Sequence, residues 1–309
     1  MEIIRHIHHC AAFPHPLVSL GNFDGVHVGH QAILRQLVHE AHERQGTALV
    51  LTFYPHPLAV LRPAQPLSLI CSLREKLSYF SSLGVNKVLL QRFTPSFAQL
   101  SPEDFIKRYL VETVGVEKVI VGHNVSFGRD RGGSAETLQQ FGKSLGFEVE
   151  IIGPIKIDDL EVSSSAVRKF LRAGEMRAVA RLLGRPYALS GRVVKGFQRG
   201  RSIGFPTANL WPRSGLLLPN GVYAVRVYID GQERPGVANV GMNPTFGVNR
   251  RTLEAHIFDF SQDLYGRRIT VRFIERLRGE RKFPSIEELV RQIQEDATQA
   301  RVLLLSSSS

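Results

Sequence analysis

The sequence contains few cysteines and no long apolar segment. Its two cysteines, Cys10 and Cys71, are too few for a disulfide framework, and they lack the spacing of a metal site. No run of about 20 apolar residues occurs, and the longest uncharged stretches, such as residues 45–61, are interrupted by proline and histidine. The first residues lack the apolar core of a secretory signal. We therefore expect neither an integral membrane protein nor a disulfide-rich secreted domain, and we expect a reducing, cytoplasmic location.

The composition is that of a globular protein with an excess of basic residues. The chain has 309 residues, of which 43% are hydrophobic and 22% are charged, so most of it is expected to fold, into two domains by its length. The formal net charge is +11. Such an excess fits a nucleic acid, an anionic membrane surface or small polyanions such as nucleotides, and it does not by itself distinguish between them.

Residues 1–184 alternate short apolar runs with helical segments, which predicts βαβ units in an α/β fold. The predicted strands are 16–20, 48–53, 87–91, 117–122 and 148–152, and the predicted helices include 29–44, 73–83 and 135–145. Ser72 and Glu75 have the spacing of a capping box, and Ser101 followed by proline begins a further helix. This alternation predicts a Rossmann-like domain with a parallel sheet covered on both faces.

Residues 185–309 have a different pattern, that of a small antiparallel β-barrel. The predicted strands are 188–195, 221–229, 234–240, 253–258 and 268–277, with Gly, Pro and Asn between them. A capping box at Ser285 predicts a closing helix, and residues 306–309 are predicted to be a disordered tail. The first part holds 20 basic and 17 acidic residues and the second holds 19 and 11, so most of the net positive excess belongs to the second part. We place the domain boundary at Gly184.

Residues 21–30, Gly-Asn-Phe-Asp-Gly-Val-His-Val-Gly-His, follow a predicted strand and open a predicted helix. Their three glycines permit a tight turn and a close approach of the backbone to a ligand. A helix N-terminus presents unpaired N–H groups and a positive dipole end to an anion. Because His27 and His30 are three residues apart, both rings can face one phosphate chain. The pattern favours a phosphate-binding turn over a capped turn with two surface histidines.

A second phosphate site is predicted at residues 162–168, Val-Ser-Ser-Ser-Ala-Val-Arg. Ser164 and Ser165 place hydroxyls at the start of a helix, and Arg168 follows one turn later. The lysine-rich Lys-Met-Ser-Lys-Ser loop of class I aminoacyl-tRNA synthetases, which share His-x-Gly-His, is absent. Taken alone, the segment would be interpreted as a serine N-cap with a solvated arginine.

The densest motif of the second half is at residues 195–209, Lys-Gly-Phe-Gln-Arg-Gly-Arg-Ser-Ile-Gly-Phe-Pro-Thr-Ala-Asn. It is not a Gly-x-x-x-x-Gly-Lys-Ser/Thr loop, so it does not predict a P-loop fold. Its glycines can wrap a phosphate chain with backbone N–H groups, and Lys195, Arg199 and Arg201 add positive charge. Thr207 and Asn209 present oxygens, the hard ligands that Mg²⁺ prefers. Taken alone, Pro-Thr-Ala-Asn would be interpreted as a turn.

Together these motifs resemble those of the bacterial bifunctional riboflavin kinase/FMN adenylyltransferase family, over about residues 14–300. In the first half the resemblance lies in residues 21–30, 52–57, 122–128 and 162–168, and in the second half in residues 195–209, 219–224, 239–247 and 253–260. Two segments depart from the family pattern. Val162 and Ser165 stand where the family usually has Ile and Thr, and Asn124 and Val125 stand where it usually has Asp and Phe. Ser165 keeps the hydroxyl.

For the first half, the resemblance implies adenylyl transfer, in which the FMN phosphate attacks the α-phosphorus of ATP and pyrophosphate leaves. Such a reaction needs no enzyme nucleophile, since positioning and charge neutralisation suffice. The resemblance assigns His27 and His30 to transition-state stabilisation, and it assigns Ser164, Ser165 and Arg168 to the β- and γ-phosphates. For the second half it implies riboflavin phosphorylation with Glu254 as the base that deprotonates the 5′-hydroxyl.

The resemblance implies further contacts with the substrates riboflavin, FMN and ATP. Contacts with ATP or its phosphates are implied for Gly21, Asn22, Phe23, Asp24, Gly25, Gly29, Gly196, Gly200, Arg201, Gly204, Pro206 and Thr207. Flavin contacts are implied for Asn124, Phe127, Tyr223 and Arg278. Binding of Mg²⁺ with ATP is implied for Thr207 and Asn209.

Other hypotheses explain part of the sequence. Another small-molecule adenylyl- or cytidylyltransferase, with a basic RNA- or nucleotide-binding barrel, would explain the first half. Basic charge alone is weak evidence for RNA, and the aromatic RNP-type strand is missing. A metal site at His6, His8, His9 and Cys10 is disfavoured because no second cluster is evident. We expect small-molecule partners, no nucleic acid and no membrane, and the sequence is compatible with a homo-oligomer.

Overall fold

The computed structural model describes residues 1–5, 12–65, 67–196, 200, 203–210, 216–243 and 250–306. The chain divides by packing into two compact units. The first comprises Met1–Leu67 and Ser72–Ser163, and the second comprises Ser68–Cys71 and Ser164–Ser309. The division by packing falls before Ser164, whereas the boundary at Gly184 was inferred from sequence texture and stays a prediction.

The first unit contains the predicted parallel sheet, with six strands. They are β1 (Glu2–Ile4), β2 (Pro16–Leu20), β3 (Thr47–Tyr54), β4 (Lys87–Arg92), β5 (Lys118–Gly122) and β6 (Glu148–Ile152). The spatial order is β1-β4-β3-β2-β5-β6, and every neighbouring pair is parallel. The helices are α1 (Val28–Glu43), α2 (Pro57–Leu61), α3 (Leu73–Ser82), α4 (Pro95–Ala98), α5 (Pro102–Phe105), which continues as a π-helical segment (Ile106–Glu112), and α6 (Ala135–Leu145). A small antiparallel pair, β7 (Lys156–Ile157) and β8 (Leu160–Glu161), follows β6.

The central strands are apolar on both faces because helices cover both sides of the sheet. Leu17 and Val50 belong to one core cluster, which includes α1 and α3 residues such as Leu34 and Phe80. The alternate strand residues, such as Val18, belong to the opposite cluster with residues of α5 and α6. Alternate residues of each central strand therefore point into two different cores, rather than into one core and the solvent.

The strand order reverses at β2, and this reversal locates the site. From β2 the chain proceeds through α1 to β3 and then β4 on one side, whereas β5 and β6 extend the sheet on the other side. The segments that leave the carboxyl ends of β2 and β5 therefore diverge and leave a crevice between them. In open α/β sheets, ligands bind at such a switch point. The predicted phosphate-binding turn follows β2, so the fold places it there.

The second unit contains the predicted antiparallel barrel, together with helices whose bounds the described residues give. The helices are α7 (Ser164–Ala173), α8 (Met176–Leu183) and α9 (Ile286–Ser306). The strands are β9 (Tyr187–Val194), β10 (Ala208–Leu210), β11 (Gly221–Ile229), β12 (Gln232–Asn243), β13 (Arg250–Ile257) and β14 (Arg268–Arg278), closed in the order β10-β13-β12-β11-β14-β9.

The closing helix packs on the outer face of the barrel. Ala300 and Leu304 of α9 form a buried cluster with Val222, Ala224 and Val237 of the strands beneath. This contact holds the helix to its last turn, so α9 continues through Ser306. The predicted disordered tail at residues 306–309 stays a prediction, and residues 307–309 lie outside the described residues.

The predicted strands and helices agree with the structure to within a few residues, except where elements are short. The short elements that were not predicted from the sequence are β1, β7, β8, β10, α2, α4 and α8. Strands of two or three residues and helices of eight residues or fewer are too short to show a hydrophobic period. The sequence analysis treated β10 as part of a loop. The pairing of β10 with β9 and β13 closes the barrel, so the tertiary structure decides its conformation.

The capping box of α3 supplies a test of this local structure. The Ser72 backbone N–H donates to Glu75 Oε2 at 2.8 Å, and Ser72 Oγ accepts the Glu75 backbone N–H at 3.3 Å. We expect Ser72→Ala to lower the free energy of unfolding by about 1 kcal/mol, because the Glu75 backbone N–H loses its partner and the Ser72 hydroxyl no longer donates to Glu75 Oε2. Urea denaturation followed by circular dichroism measures the shift. Ser81→Ala, at an exposed position in the last turn of the same helix, is the control, and equal shifts in both variants would contradict the capping role.

Candidate functional site

The turn between β2 and α1, residues 21–30 and here called the histidine turn, has a strained backbone. Phe23 and Val26 adopt φ angles of 49° and 42°, in the left-handed region that non-glycine residues rarely occupy. Gly25 lies between them with φ 84°, which glycine adopts without strain. Such strain persists only where the surroundings determine it, and it concentrates at functional sites. The turn is therefore held in one shape by its packing.

His27 is the N-cap of α1, and this role fixes its tautomer. Its Nδ1 accepts the backbone N–H of His30 at 3.3 Å. A nitrogen that accepts a hydrogen bond carries no proton, so the neutral ring is protonated at Nε2, which is a donor. Only 6% of the residue is exposed. The tautomer thus identifies the atom that would make the predicted phosphate contact, the Nε2–H of His27.

His30 stacks on His27 and remains neutral at neutral pH. The ring centroids are 3.6 Å apart with 19° between the planes, and the Phe23 ring meets His30 edge-on at 5.1 Å. Burial lowers the pKa of His30 well below 6.5, and the nearby His27 and Lys76 lower it further. The ring is partly exposed, but its Nδ1 is buried with no hydrogen-bond partner among the described residues. A neutral ring offers one donor and one acceptor, and an unpartnered buried nitrogen is typical of a functional position.

Lys76 of α3 is a residue of this site that the sequence analysis missed. Its Nζ donates to the backbone oxygen of Asn22 at 3.0 Å and to Thr52 Oγ1 at 3.0 Å. Only 8% of Lys76 is exposed. The signal was a lysine on the apolar stripe of a helix, between the positions of Leu73, Leu77 and Phe80. A charged residue on that stripe must be buried with polar partners.

The other predicted residues of the first unit lie around the same switch point or beneath it. Asn124 is exposed just beyond the end of β5, and its Oδ1 lies 3.5 Å from the position that a Cβ would take at Gly122. Val162, two residues before α7, has its backbone oxygen beside Gly29. Phe127 differs, because it is buried among core aromatic rings such as Phe105. A flavin contact of Phe127 stays a prediction.

The remaining predicted side chains of the first turn divide between surface and core. Asn22 is exposed, whereas Phe23 and Asp24 are buried. The ring of Phe23 packs against Phe80 as well as His30. Its side chain therefore supports the histidine turn from below, and its ATP contact stays a prediction.

The predicted second phosphate site lies at the start of α7, in the second unit. Ser164 is the first residue of the helix and is partly buried, Ser165 is exposed, and Arg168 is partly buried one turn later. The prediction that these hydroxyls lie at a helix N-terminus is thus confirmed. Their binding of the same phosphate chain as the histidine turn stays a prediction.

The barrel carries a row of polar side chains on its outer face, formed by Asn209, Glu254 and Asn239. Glu254 of β13 pairs with Asn209 of β10 on one side and with Asn239 of β12 on the other. Residues directly opposite in neighbouring strands share a face. This face is the outer one, because the flanking residues Leu253 and Ala255 are buried. We call these three residues the outer polar row; Asn239 was not among the predicted site residues.

The segment before β10 brings Thr207 to this row. Thr207 Oγ1 donates to Glu254 Oε2 at 3.5 Å, so the predicted base and the predicted metal ligand are in contact. A Cβ at Gly196 would collide with the side-chain amide of Asn209, which explains the glycine at this position. His256, two residues after Glu254 on the same strand, makes a hydrogen bond through Nδ1 to the Pro206 backbone oxygen at 2.8 Å. It holds the Pro-Thr-Ala-Asn segment against β13.

Other predicted positions of the loop are only partly described. Gly200 accepts the Phe205 backbone N–H at 2.7 Å, and Gly204 has φ 87°. Arg199 and Arg201 lie outside the described residues, as does the cluster of His6, His8, His9 and Cys10.

Tyr223 and Arg278, the predicted flavin contacts of the barrel, have structural partners. Tyr223 is fully buried, and its hydroxyl donates to the Pro219 backbone oxygen at 2.7 Å. Burial raises the pKa of Tyr223 to about 12. Arg278 forms an ion pair with Asp296 of α9 through Nη2 at 2.8 Å and through Nε. These contacts tie turns and helix to the barrel, and flavin binding by either residue stays a prediction.

The oxygen donors beside Glu254 fit a magnesium–nucleotide complex. A threonine hydroxyl, an asparagine amide and a carboxylate are hard ligands, and Mg²⁺ in such sites takes one or two protein groups and its remaining ligands from phosphates and water. Within the described residues, no group of three or more His, Cys, Asp or Glu side chains could hold a metal by itself. The donor set therefore suits a metal that arrives with its nucleotide.

None of the helices in the described part of the chain has the length and hydropathy needed to cross a bilayer.

Comparisons with known proteins match both units. A family model described as FAD synthetase matches residues 11–166, and one described as riboflavin kinase matches residues 183–304. The chain is 40% identical over 304 residues to a bifunctional riboflavin kinase/FMN adenylyltransferase of Escherichia coli (strain K12), with 97% of each chain covered. A protein of the same description from Pseudomonas fluorescens is 39% identical over 310 residues, with 100% of this chain and 99% of that protein covered.

A solved structure matches at the level of the whole chain. The crystal structure of a protein described as a macrolide-efflux protein from Streptococcus pneumoniae superposes with a TM-score of 0.88 and 32% identity. The match covers 97% of this chain and 99% of that one. The arrangement of both units along one chain therefore recurs in a solved structure.

The lowered pKa of His30 makes folding stability depend on pH in a predictable direction. The unfolded chain takes up a proton on this ring near pH 6.5, whereas the folded chain does so only at much lower pH. Between the two values the unfolded state binds more protons, so the free energy of unfolding falls as the pH drops through that range. We expect His30→Gln to remove this part of the acid dependence, measured as the change in urea midpoint between about pH 7.5 and about pH 5.5. His39→Gln, which removes an exposed imidazole from the same helix, is the matched control; an undiminished acid dependence in His30→Gln would contradict the assignment.

Proposed function

The chain belongs to the family of bifunctional riboflavin kinases/FMN adenylyltransferases, and we propose that the histidine turn performs the adenylyl transfer and the outer polar row the phosphorylation. The protein phosphorylates riboflavin to FMN with ATP and then joins FMN to the adenylyl group of a second ATP to give FAD and pyrophosphate. The observation that carries the assignment is the pairing of two different chemistries with two different units. The first unit presents neutral hydrogen-bond donors at a helix N-terminus, and the second presents a carboxylate base.

Adenylyl transfer requires donors and positioning rather than a base. The attacking phosphate oxygen of FMN is already ionised, and pyrophosphate leaves as an anion, so no proton must move at the reacting atoms. We assign the Nε2–H of His27, a ring N–H of His30 and the free N–H groups of α1 to the oxygens around the α-phosphorus. These donors are fixed before the substrate arrives, because His27 is held by its cap and His30 by stacking. Negative charge that develops in the transition state therefore meets oriented dipoles.

The leaving pyrophosphate needs positive charge. We assign Ser164, Ser165 and Arg168 at the start of α7 to the β- and γ-phosphates, because hydroxyls, a helix N-terminus and a guanidinium are the groups that bind such anions. Asn124 beyond β5 is assigned to the flavin or nucleotide, on its position at the switch point. Asn22, Asp24 and the three glycines of the turn would contact ATP through their proximity to the same donors.

Riboflavin phosphorylation requires a base, and Glu254 is placed to act as one. The 5′-hydroxyl of riboflavin must lose a proton as its oxygen attacks the γ-phosphorus and ADP leaves. Glu254 Oε2 accepts the Thr207 hydroxyl and is partly exposed, so the carboxylate is oriented and accessible on the outer face. Thr207 and Asn209 would hold the Mg²⁺ that accompanies ATP, and the ion would supply charge neutralisation at the phosphates. Lys195 and the glycines at 196, 200 and 204 would follow the phosphate chain.

The cellular setting follows from the substrates. ATP is the phosphate donor and the adenylyl donor of both steps, and the chain has only two cysteines, so we place the enzyme in the cytoplasm. An RNA-binding role for the barrel has less support, because its basic residues are used in phosphate sites and ion pairs.

The histidine turn is tested by replacing its two rings separately. We expect His27→Ala and His30→Ala each to reduce FAD formation from FMN and ATP by about a hundredfold or more, since a preorganised donor is lost at the transition state. FMN formation from riboflavin should stay at the wild-type rate, because the kinase residues lie in the other unit. A chromatographic time course with purified protein measures both products. His39→Ala controls for a histidine lost from α1, and wild-type FAD synthesis in either turn variant would remove that histidine from the site.

Glu254 is tested by an isosteric change that removes the base. We expect Glu254→Gln to lower riboflavin phosphorylation by about a hundredfold to ten-thousandfold, while FMN supplied directly is still converted to FAD. Glu295→Gln, an exposed position on α9, is the matched control. Riboflavin phosphorylation at the wild-type rate in Glu254→Gln would assign the base to another group.

A further inference from the structure

We propose that Lys76 is a positioning residue for adenylyl transfer, because its ammonium group ties the histidine turn to β3 and to α3. It would act through His27 and His30 by fixing where their donors meet the phosphates of ATP. The inference rests on the proposed function of the histidine turn. It adds a residue from another helix, 46 positions along the chain from His30.

The contacts of Lys76 join three separate elements. Nζ is 3.0 Å from the Asn22 backbone oxygen, in the residue that precedes the left-handed Phe23. The same atom is 3.0 Å from Thr52 Oγ1, on a fully buried residue of β3. Thr52 is part of the sheet and cannot shift without disturbing it. A carbonyl held at Asn22 therefore fixes the point at which the histidine turn departs from the sheet.

Packing against α3 reinforces this anchor. Phe80, one turn after Lys76, is fully buried and meets the Phe23 ring edge-on at 5.5 Å. Phe23 in turn meets His30 edge-on at 5.1 Å. Two residues of α3 thus hold the histidine turn. Lys76 holds its backbone through a hydrogen bond, and Phe80 holds the ring of Phe23 through an aromatic contact.

The fold alone does not require a charge at this position. Transferring an ammonium group from water to a buried place is costly, and apolar residues of similar size often serve the structure as well or better. The hydrogen bonds that Lys76 donates to Asn22 and Thr52 offset part of this cost, but they do not explain why a lysine is used instead of an apolar residue. A fixed positive charge beneath a site for polyanions gives that explanation, since its field acts on the phosphates in a poorly hydrated region.

The charge of Lys76 also acts on His30. Together with burial and His27, it lowers the pKa of His30 and so keeps the ring neutral. Asp24, the other titratable residue of the turn, is itself buried. Removal of the lysine charge should let the pKa of His30 rise. A protonated His30 cannot accept a hydrogen bond.

The test compares Lys76→Met, which keeps the length and apolar stem, with Lys76→Arg, which keeps the charge. Lys143→Met, an exposed lysine of the same unit, is the matched control. FAD formation from FMN and FMN formation from riboflavin are measured in the full chain across a pH series. We expect Lys76→Met to lose about a hundredfold in the rate of FAD formation, as a misplacement of about 1 Å would cause. Its acid limb should move to higher pH, and FMN formation should be unchanged.

The arginine variant separates charge from shape. Lys76→Arg should regain part of the rate and keep the acid limb of the wild type, because the charge remains near His30. Wild-type FAD formation in Lys76→Met would overturn the proposal. A loss with an unmoved acid limb, or an equal loss of both activities, would show a purely structural role and would also overturn it.

A second substitution covers a methionine variant that does not fold. Thr52→Val removes the acceptor of Lys76 and keeps the size of the residue, so it should lower FAD formation by about tenfold and spare FMN formation. Unchanged FAD formation in Thr52→Val would then overturn the proposal. The wild-type chain distinguishes this failure from that of the proposed function: if it forms no FAD from FMN and ATP, the assignment of the histidine turn fails whatever the Lys76 variants do.

Discussion

The reversal of strand order at β2 is the constraint on which the adenylyltransferase site depends. Because β3 and β5 flank β2 on opposite sides, the segments that leave the carboxyl ends of β2 and β5 diverge, and a crevice lies between them. The turn there must be tight enough to begin α1 at once, which places Phe23 and Val26 in left-handed conformations. His27 then caps the helix with Nδ1, so the neutral ring carries its proton on Nε2. The strand order therefore requires the strained turn, and the turn in turn fixes the tautomer of His27.

The positive charge of the chain is used in two physically different ways. Much of the excess lies in the barrel half, and several of its arginines are paired with carboxylates of that half. Such pairs are Arg272–Glu233, Arg278–Asp296 and Arg301–Asp259. These cations stabilise strand and helix contacts and are not available to a polyanion. The first unit has little net charge, yet it buries Lys76 against the histidine turn. Local placement, rather than total charge, therefore indicates where a nucleotide binds.

Periodicity and capping patterns predicted most of the fold, and tertiary contacts decided the rest. The capping box at Ser72 and the strand at Gly221–Ile229 depend on neighbours in sequence, so the sequence showed them directly. Two residues of the outer polar row, Asn209 and Glu254, were predicted as site residues, whereas Asn239 joins the row only through strand register. Lys76 belongs to the site because α3 packs beside β2, which no local pattern encodes. Contacts between residues that are far apart along the chain are the part of the structure that cannot be predicted from a single sequence.

The two reactions place opposite demands on a site, and this explains why one chain keeps them in separate units. Phosphorylation of riboflavin needs a carboxylate that accepts a proton. The negative charge of that carboxylate repels the phosphate oxygens of a nearby triphosphate. Adenylyl transfer moves no proton and gains from donors and positive charge alone. A carboxylate base at the histidine turn would compete with the phosphates for the ring N–H groups of His27 and His30. Glu254 lies instead on the outer face of a barrel. There the Thr207 hydroxyl orients its carboxylate, and solvent screens the negative charge from distant groups.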